Sequence, residues 1–207
     1  MNQVIRMNDT PQALIHAALE VFAEKGYDGA SVRAITARAG ANLGAITYHF
    51  GSKDKLYEAA FVSVAEPFRN HLKNAIAKDA PPLDRIESLV RAWYRYLSEH
   101  PSFSRVLLQH LASALPMPEA GRRVMRANLD LIASVIASGQ RDGSIRAGDA
   151  RLMALSIGSQ PMFLSLVRHA LRDGAEIDQD DPATGRELVE SVVRFVRAAL
   201  AVQSSDP

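Results

Sequence analysis

Apolar residues recur at three- and four-residue steps along most of the chain, and two-residue alternation is nearly absent. The pattern predicts an all-α protein. A first helix is expected from Pro11 to Lys25, capped by Thr10, with Leu14, Ala18, Val21 and Phe22 as its inner stripe, Ile15 and Leu19 widening it, and Gly26 as its stop. A short second helix follows Ser31 and ends at Gly40, with Val32, Ile35 and Ala39 inward. After a turn at Gly40–Asn42 comes a very short helix from Leu43 to about His49. Gly51 and Ser52 break and re-cap the chain before a long helix from Lys53 to about residue 78, kinked at Pro67. Five more are expected: from about Leu83 to Glu99, from Pro101 to near Leu115, from beyond Pro118 to Gly139, from Asp149 to about Arg172 with a kink at Pro161, and from about Ala183 to Val202. Nine helices result, with a frayed tail after them.

The chain has 207 residues, 47% of them hydrophobic, which suits one ordinary domain or two small ones. It has no cysteine, so disulfides, thiolate metal sites and cysteine nucleophiles are excluded. No stretch reaches the roughly 20 apolar residues of a membrane span, and Asn8, Asp9 and Gln12 interrupt any export-signal core. A cytoplasmic location without membrane partners is expected. The sequence carries no G-x-S-x-G, H-E-x-x-H or P-loop pattern. Its six histidines show no metal-ligand spacing, and the run Asp178–Asp181 lacks calcium-loop spacing. No enzyme, metal or cofactor is expected.

The net charge is +1, so a polyanionic partner must be met by a local patch. One exists. Residues 31–57 hold Arg33, Arg38, Lys53 and Lys55 against Asp54 alone, whereas residues 56–207 are balanced. The patch coincides with three short helices whose second and third members share a tight glycine turn, the layout of a helix-turn-helix. In the third, Ile46 and Phe50 face inward. The remaining small or hydrogen-bonding side chains suit a major groove about 12 Å wide.

The run from Gly26 to Phe61 resembles the DNA-binding domain of TetR-family transcriptional regulators. The features that carry the resemblance are Phe22 and Gly26, Ser31 opening the second helix, Ile35–Thr36–Ala37–Arg38–Ala39–Gly40, and His49–Phe50–Gly51–Ser52–Lys53–Asp54–Lys55–Leu56. Thr36 stands where the family has alanine. The resemblance implies a nine-helix TetR-like architecture, with a helix-turn-helix domain over 1–55 and an effector-binding and dimerisation domain over 56–207. It implies that Arg33 reaches a base edge or a phosphate, that Ser31 caps the second helix and touches phosphate, that Asn42, Leu43, Ala45, Thr47 and Tyr48 face the groove, and that His49 and Lys53 hold phosphates. Leu43 and Thr47 depart from the lysine or arginine and the tyrosine frequent there, so the operator sequence cannot be carried over.

The C-terminal part offers candidates of its own. Trp93, Tyr96, Phe103, His110, Met125, Met162 and Phe163 are pocket candidates, and Arg91, Arg95 and His110 are candidate anchors for an acidic group. Leu155, Ser159, Met162, Leu166, Leu188, Val192, Phe195 and Ala199 form the candidate dimer interface on the last two long helices. The expected function is that of a homodimeric repressor on a palindromic operator, released by a small apolar or amphipathic effector. A regulator without small-molecule control, and a helical enzyme or scaffold, are the alternatives.

Overall fold

The computed structural model describes residues 10–77, 79–113 and 116–202. Ten helices follow one another there: α1 Pro11–Gly29, α2 Val32–Ala39, α3 Ala45–Phe50, α4 Lys53–Asn74, α5 Pro82–Glu99, α6 Pro101–Ala112, α7 Glu119–Asp142, α8 Ala150–Leu166, α9 Arg168–Ala175 and α10 Pro182–Leu200. The described residues contain no strand, only an isolated antiparallel bridge between Ile145 and Ala201. None of their helices alone is long and apolar enough to cross a membrane.

The all-α expectation holds, and the differences have local causes. The helix expected from Asp149 to about Arg172 is two helices, bent by 66°. The bend lies at Val167, and α8 runs through Pro161. In a continuous helix the Leu164 carbonyl would accept from the Arg168 N–H; instead it accepts from the side-chain amide of Gln179 at 2.9 Å. α7 runs past Gly139, the expected stop, to Asp142. A Cβ at Gly139 would sit 2.6 Å from Ile145 Cδ1, so this glycine serves close packing. Gly26 is a kink inside α1, with φ 67° and ψ −179°, where a stop was expected. α3 is shifted from the expected 43–49, and α4 ends at Asn74. α6 ends at Ala112. Its expected limit, Leu115, and the tail 203–207 lie outside the described residues.

Two compact units divide the chain. The first takes the described residues up to Pro67 together with His100–Val124. Its core is built on Leu14, Phe22, Ile35, Ile46 and Leu56, each almost fully buried. Each such side chain contributes roughly 1.5–3 kcal/mol of burial. Phe22 meets the Tyr57 ring edge-on, with centroids 4.8 Å apart. The second unit takes Phe68–Glu99 and the described residues from Met125 onward. Its core joins Ile86, Val90, Trp93 and Leu97 of α5 to Ile132 and Ile136 of α7, Ala154 and Ile157 of α8, and Val193 and Val196 of α10. Gly158 lets the Trp93 ring lie against α8; a Cβ there would be 2.7 Å from Trp93 Cη2.

Candidate nucleic-acid interface

Local backbone chemistry sets the position of α2 and α3. Ser31 Oγ accepts from the Ala34 N–H at 3.1 Å and caps α2. Gly40 ends the helix in the left-handed region, with φ 64°. The Ala41 N–H donates to the Thr36 carbonyl at 2.9 Å and the Gly40 N–H to that of Ala37 at 3.2 Å, a Schellman ending. Thr36 is buried, and its hydroxyl is satisfied by the Val32 carbonyl at 3.0 Å, so the departure from alanine strands no polar group. Gly51, with φ 80°, ends α3, and Ser52 Oγ accepts from the Lys55 N–H at 3.2 Å at the start of α4.

This scaffold brings most of the expected DNA-facing residues to the surface. Ser31, Arg33, Asn42, Leu43 and Thr47 are exposed, and Tyr48 is 85% exposed. His49 and Lys53 are half-buried. Ala45 corrects the expectation: it is 7% exposed and packs in the core. Ala45 lies in the first turn of α3 on the same face as half-buried His49, four residues on, beside the Ile46–Phe50 stripe that faces the core. The Tyr48 and His49 rings meet edge to face, with centroids 4.8 Å apart.

The four cations are not equivalent. Arg38 grips Glu24 with both terminal guanidinium nitrogens, at 2.7 and 2.9 Å, and touches Glu20 at 3.3 Å. Those bonds raise the Arg38 pKa and hold the Glu24 carboxyl below its ordinary range. Arg38 thus ties α2 to α1. Lys55 pairs with Glu58 at 3.0 Å. Arg33 has no carboxylate partner among the described residues. Lys53 Nζ stands 4.1 Å from the Tyr27 ring centroid, a cation–π contact that leaves its charge unneutralised. Tyr27 donates to Asp54. Burial, then that bond and the Asp54 charge, push the phenol up to about 12. Tyr27 is the supporting residue that sequence reasoning missed, since nothing in local spacing links it to Lys53.

The remaining candidates fall in both units. Phe103 and His110 are buried in the first, where His110 Nδ1 lies 2.9 Å from the Tyr57 hydroxyl. Burial pushes Tyr57 up to about 12 and lowers the His110 pKa. Trp93 and Tyr96 are buried in the second unit, and Met162 is half-buried there. Met125 and Phe163, expected in a pocket, are instead exposed. A cavity of about 480 Å³ in the second unit has none of these seven in its wall. On α10, Val192, expected at a partner interface, is buried with Val193, Val196 and Leu200 because it lies on the inward stripe. Phe195 and Ala199 point outward, as do Leu155 and Ser159 of α8. Leu166 and Leu188 are half-buried.

A capped helix pair joined by a glycine turn, with an outward hydrogen-bonding face and unpaired cations at its rim, defines a helix-turn-helix DNA-binding protein. Comparison with known proteins makes the class specific. Residues 14–60 match the model of bacterial regulatory proteins of the tetR family, and residues 82–196 match that of the tetracyclin repressor-like C-terminal domain. The chain belongs to the TetR family and is a DNA-binding transcription regulator. It is 25% identical over 189 residues to the HTH-type transcriptional activator FasR of Mycolicibacterium smegmatis, covering 91% of this chain and 81% of that one. It is 29% identical over 180 residues to the HTH-type transcriptional repressor NicS of Pseudomonas putida, covering 83% of each. The solved structure of the transcriptional regulator FadR from Bacillus subtilis, in complex with stearoyl-CoA, shares the fold with a TM-score of 0.76 at 19% identity, over 92% of this chain and 99% of that one.

Proposed function

We propose that the protein is a ligand-responsive repressor that binds a palindromic operator as a homodimer. Residues 1–55 read DNA, and residues 56–207 dimerise and receive a small apolar or amphipathic effector. The observation that carries the reading is the outward face formed by Arg33, Leu43, Thr47 and Tyr48, with Lys53 at its rim. Thr47 and Tyr48 offer hydroxyls to base edges, and Leu43 and the Thr47 methyl suit a thymine methyl. Asn42 faces the groove beside them, and Ser31, His49 and Lys53 position the protein on phosphates. Two such faces enter successive major grooves about 34–36 Å apart, or a multiple of that.

Dimerisation rests on the exposed apolar side chains of α8 and α10, Leu155, Phe163 and Phe195 among them. Effector release is a population shift: a ligand that prefers the state with wrongly spaced recognition helices lowers operator affinity by that preference. The test is a gel shift on DNA upstream of the protein's own gene, repeated with candidate effectors and with Arg33→Ala/Lys53→Ala. Binding lost in the variant supports the reading; unchanged binding contradicts it. The likeness to the activator FasR favours a second reading, activation at the same operator. In vitro transcription from the bound promoter separates the two by the sign of the change.

A further inference from the structure

The cavity of about 480 Å³ in the second unit falls within the roughly 300–1,000 Å³ range of small-molecule sites. Its walls come from α5, the end of α8, the start of α9, and the first turns of α10 with Gln179 before them. Leu97, Pro182, Leu188 and Val189 make part of the lining apolar. Four arginines line it, Arg91, Arg95, Arg168 and Arg186, against one carboxylate, Glu190.

That carboxylate is already engaged. Arg91 holds Glu190 through Nε at 2.9 Å and Nη2 at 2.8 Å, and Glu87 through Nη1 at 3.1 Å. Arg168 is paired with Asp180 at 2.5 Å. Arg95 and Arg186 are different. Neither has a carboxylate partner among the described residues, and the neighbour of Arg95 Nη2 is His71 Nε2 at 3.5 Å. Glu187, adjacent to Arg186 in sequence, pairs with Arg194 at 2.7 Å, and Asp181, which feels the Arg186 charge without an ion pair, caps α10 through the N–H and hydroxyl of Thr184 at 2.7 and 2.8 Å. Tyr94, also in the wall, is 8% exposed, and its hydroxyl has no hydrogen-bond partner. Buried polar groups are nearly always satisfied, so an unpaired phenol here is a donor lacking its acceptor.

We propose that this cavity binds an amphipathic carboxylate, with Arg95 and Arg186 holding the head group, the apolar wall covering the body, and Tyr94 supplying a further donor. The assignment of this ligand as the effector rests on the reading that the regulator answers to a small molecule. Guanidinium–carboxylate bonds are charge-assisted and roughly twice as strong as neutral ones. A neutral analogue of equal length therefore loses most of the selectivity.

Calorimetry on the full chain with decanoate, decanol and inorganic phosphate tests the site. The proposal expects decanoate to bind once per chain, and decanol and phosphate each at least about tenfold more weakly. In Arg95→Gln/Arg186→Gln, decanoate affinity falls by about tenfold or more while decanol binding is unchanged. Tyr94→Phe weakens decanoate by a smaller factor, and thermal melts of all variants confirm folding. Equal affinity for decanoate and decanol, no decanoate binding, phosphate binding as tight as decanoate, or full affinity in the double variant overturns it. A gel shift with decanoate reports separately on control of DNA binding. Decanoate that binds without releasing operator supports the site and contradicts the small-molecule reading.

Discussion

α3 and α10 both turn large side chains toward solvent, in opposite chemical settings. At α3 the outward set mixes Tyr48 and Thr47 with Leu43 of the turn before it, beside the unpaired charges of Arg33 and Lys53. Such a surface can hydrogen-bond to base edges and meet phosphates while remaining wet. On α10, Phe195 is 62% exposed, and on α8 Phe163 is 61% exposed, with Leu152 and Leu155 on the same helix. Apolar side chains displayed in that number suit a partner of the same kind, as a two-fold interface supplies. Exposure alone therefore does not identify a site; the company of each exposed side chain does.

The largest expected effect breaks the α8 and α10 side of this contrast. Phe163→Asp/Phe195→Asp places two charges per chain in the proposed interface. Dimer dissociation constants rise by more than about a thousandfold, read by sedimentation equilibrium, with helical content retained. An unchanged dimer would assign those faces elsewhere. Next comes Arg33→Ala/Lys53→Ala, expected to weaken operator binding by about a hundredfold and to flatten its salt dependence.

Gly40→Ala tests the scaffold that aims α3. A side chain at φ 64° costs about 1 kcal/mol, a drop of about 2–4 °C in melting temperature. A smaller effect is expected at His110. Burial keeps its folded pKa below the ordinary 6.5, so the unfolded chain takes up a proton first as pH falls. Stability is full above that value and declines as pH falls through it. Urea melts from pH 7.5 to 5.5 should show a steeper decline in the parent than in His110→Gln. The smallest effect sharpens the contrast between two arginines of α2. Arg38→Ala should change operator affinity by no more than about twofold, because its charge is held by Glu24 and Glu20.

The region around α3 was legible in the sequence because its geometry is set by neighbours in the chain. Thr10 and Ser31 cap the helices they precede, Gly40 takes the left-handed position, and Ser52 re-caps the chain. Asp149 and Asp181 likewise cap α8 and α10. The second unit was less legible because distant partners decide it. Gln179 splits α8 from α9 by taking the Leu164 carbonyl, and Ile145 packs on Gly139 so that the glycine marks an approach and no end. The cation on Tyr27 and the pairing of Arg38 also required three dimensions. Aromatic and methionine spacing singled out Phe163 and Met125 for a pocket, yet both are exposed, since periodicity does not distinguish an inner wall from a partner face.

Methylation interference at guanine N7 on the operator tests the central claim most directly, because N7 lies in the major groove. The account predicts two symmetric clusters of interfering guanines, one helical turn or a multiple apart, each weakened by Tyr48→Ala. Binding indifferent to N7 methylation, or a single asymmetric cluster, would contradict it.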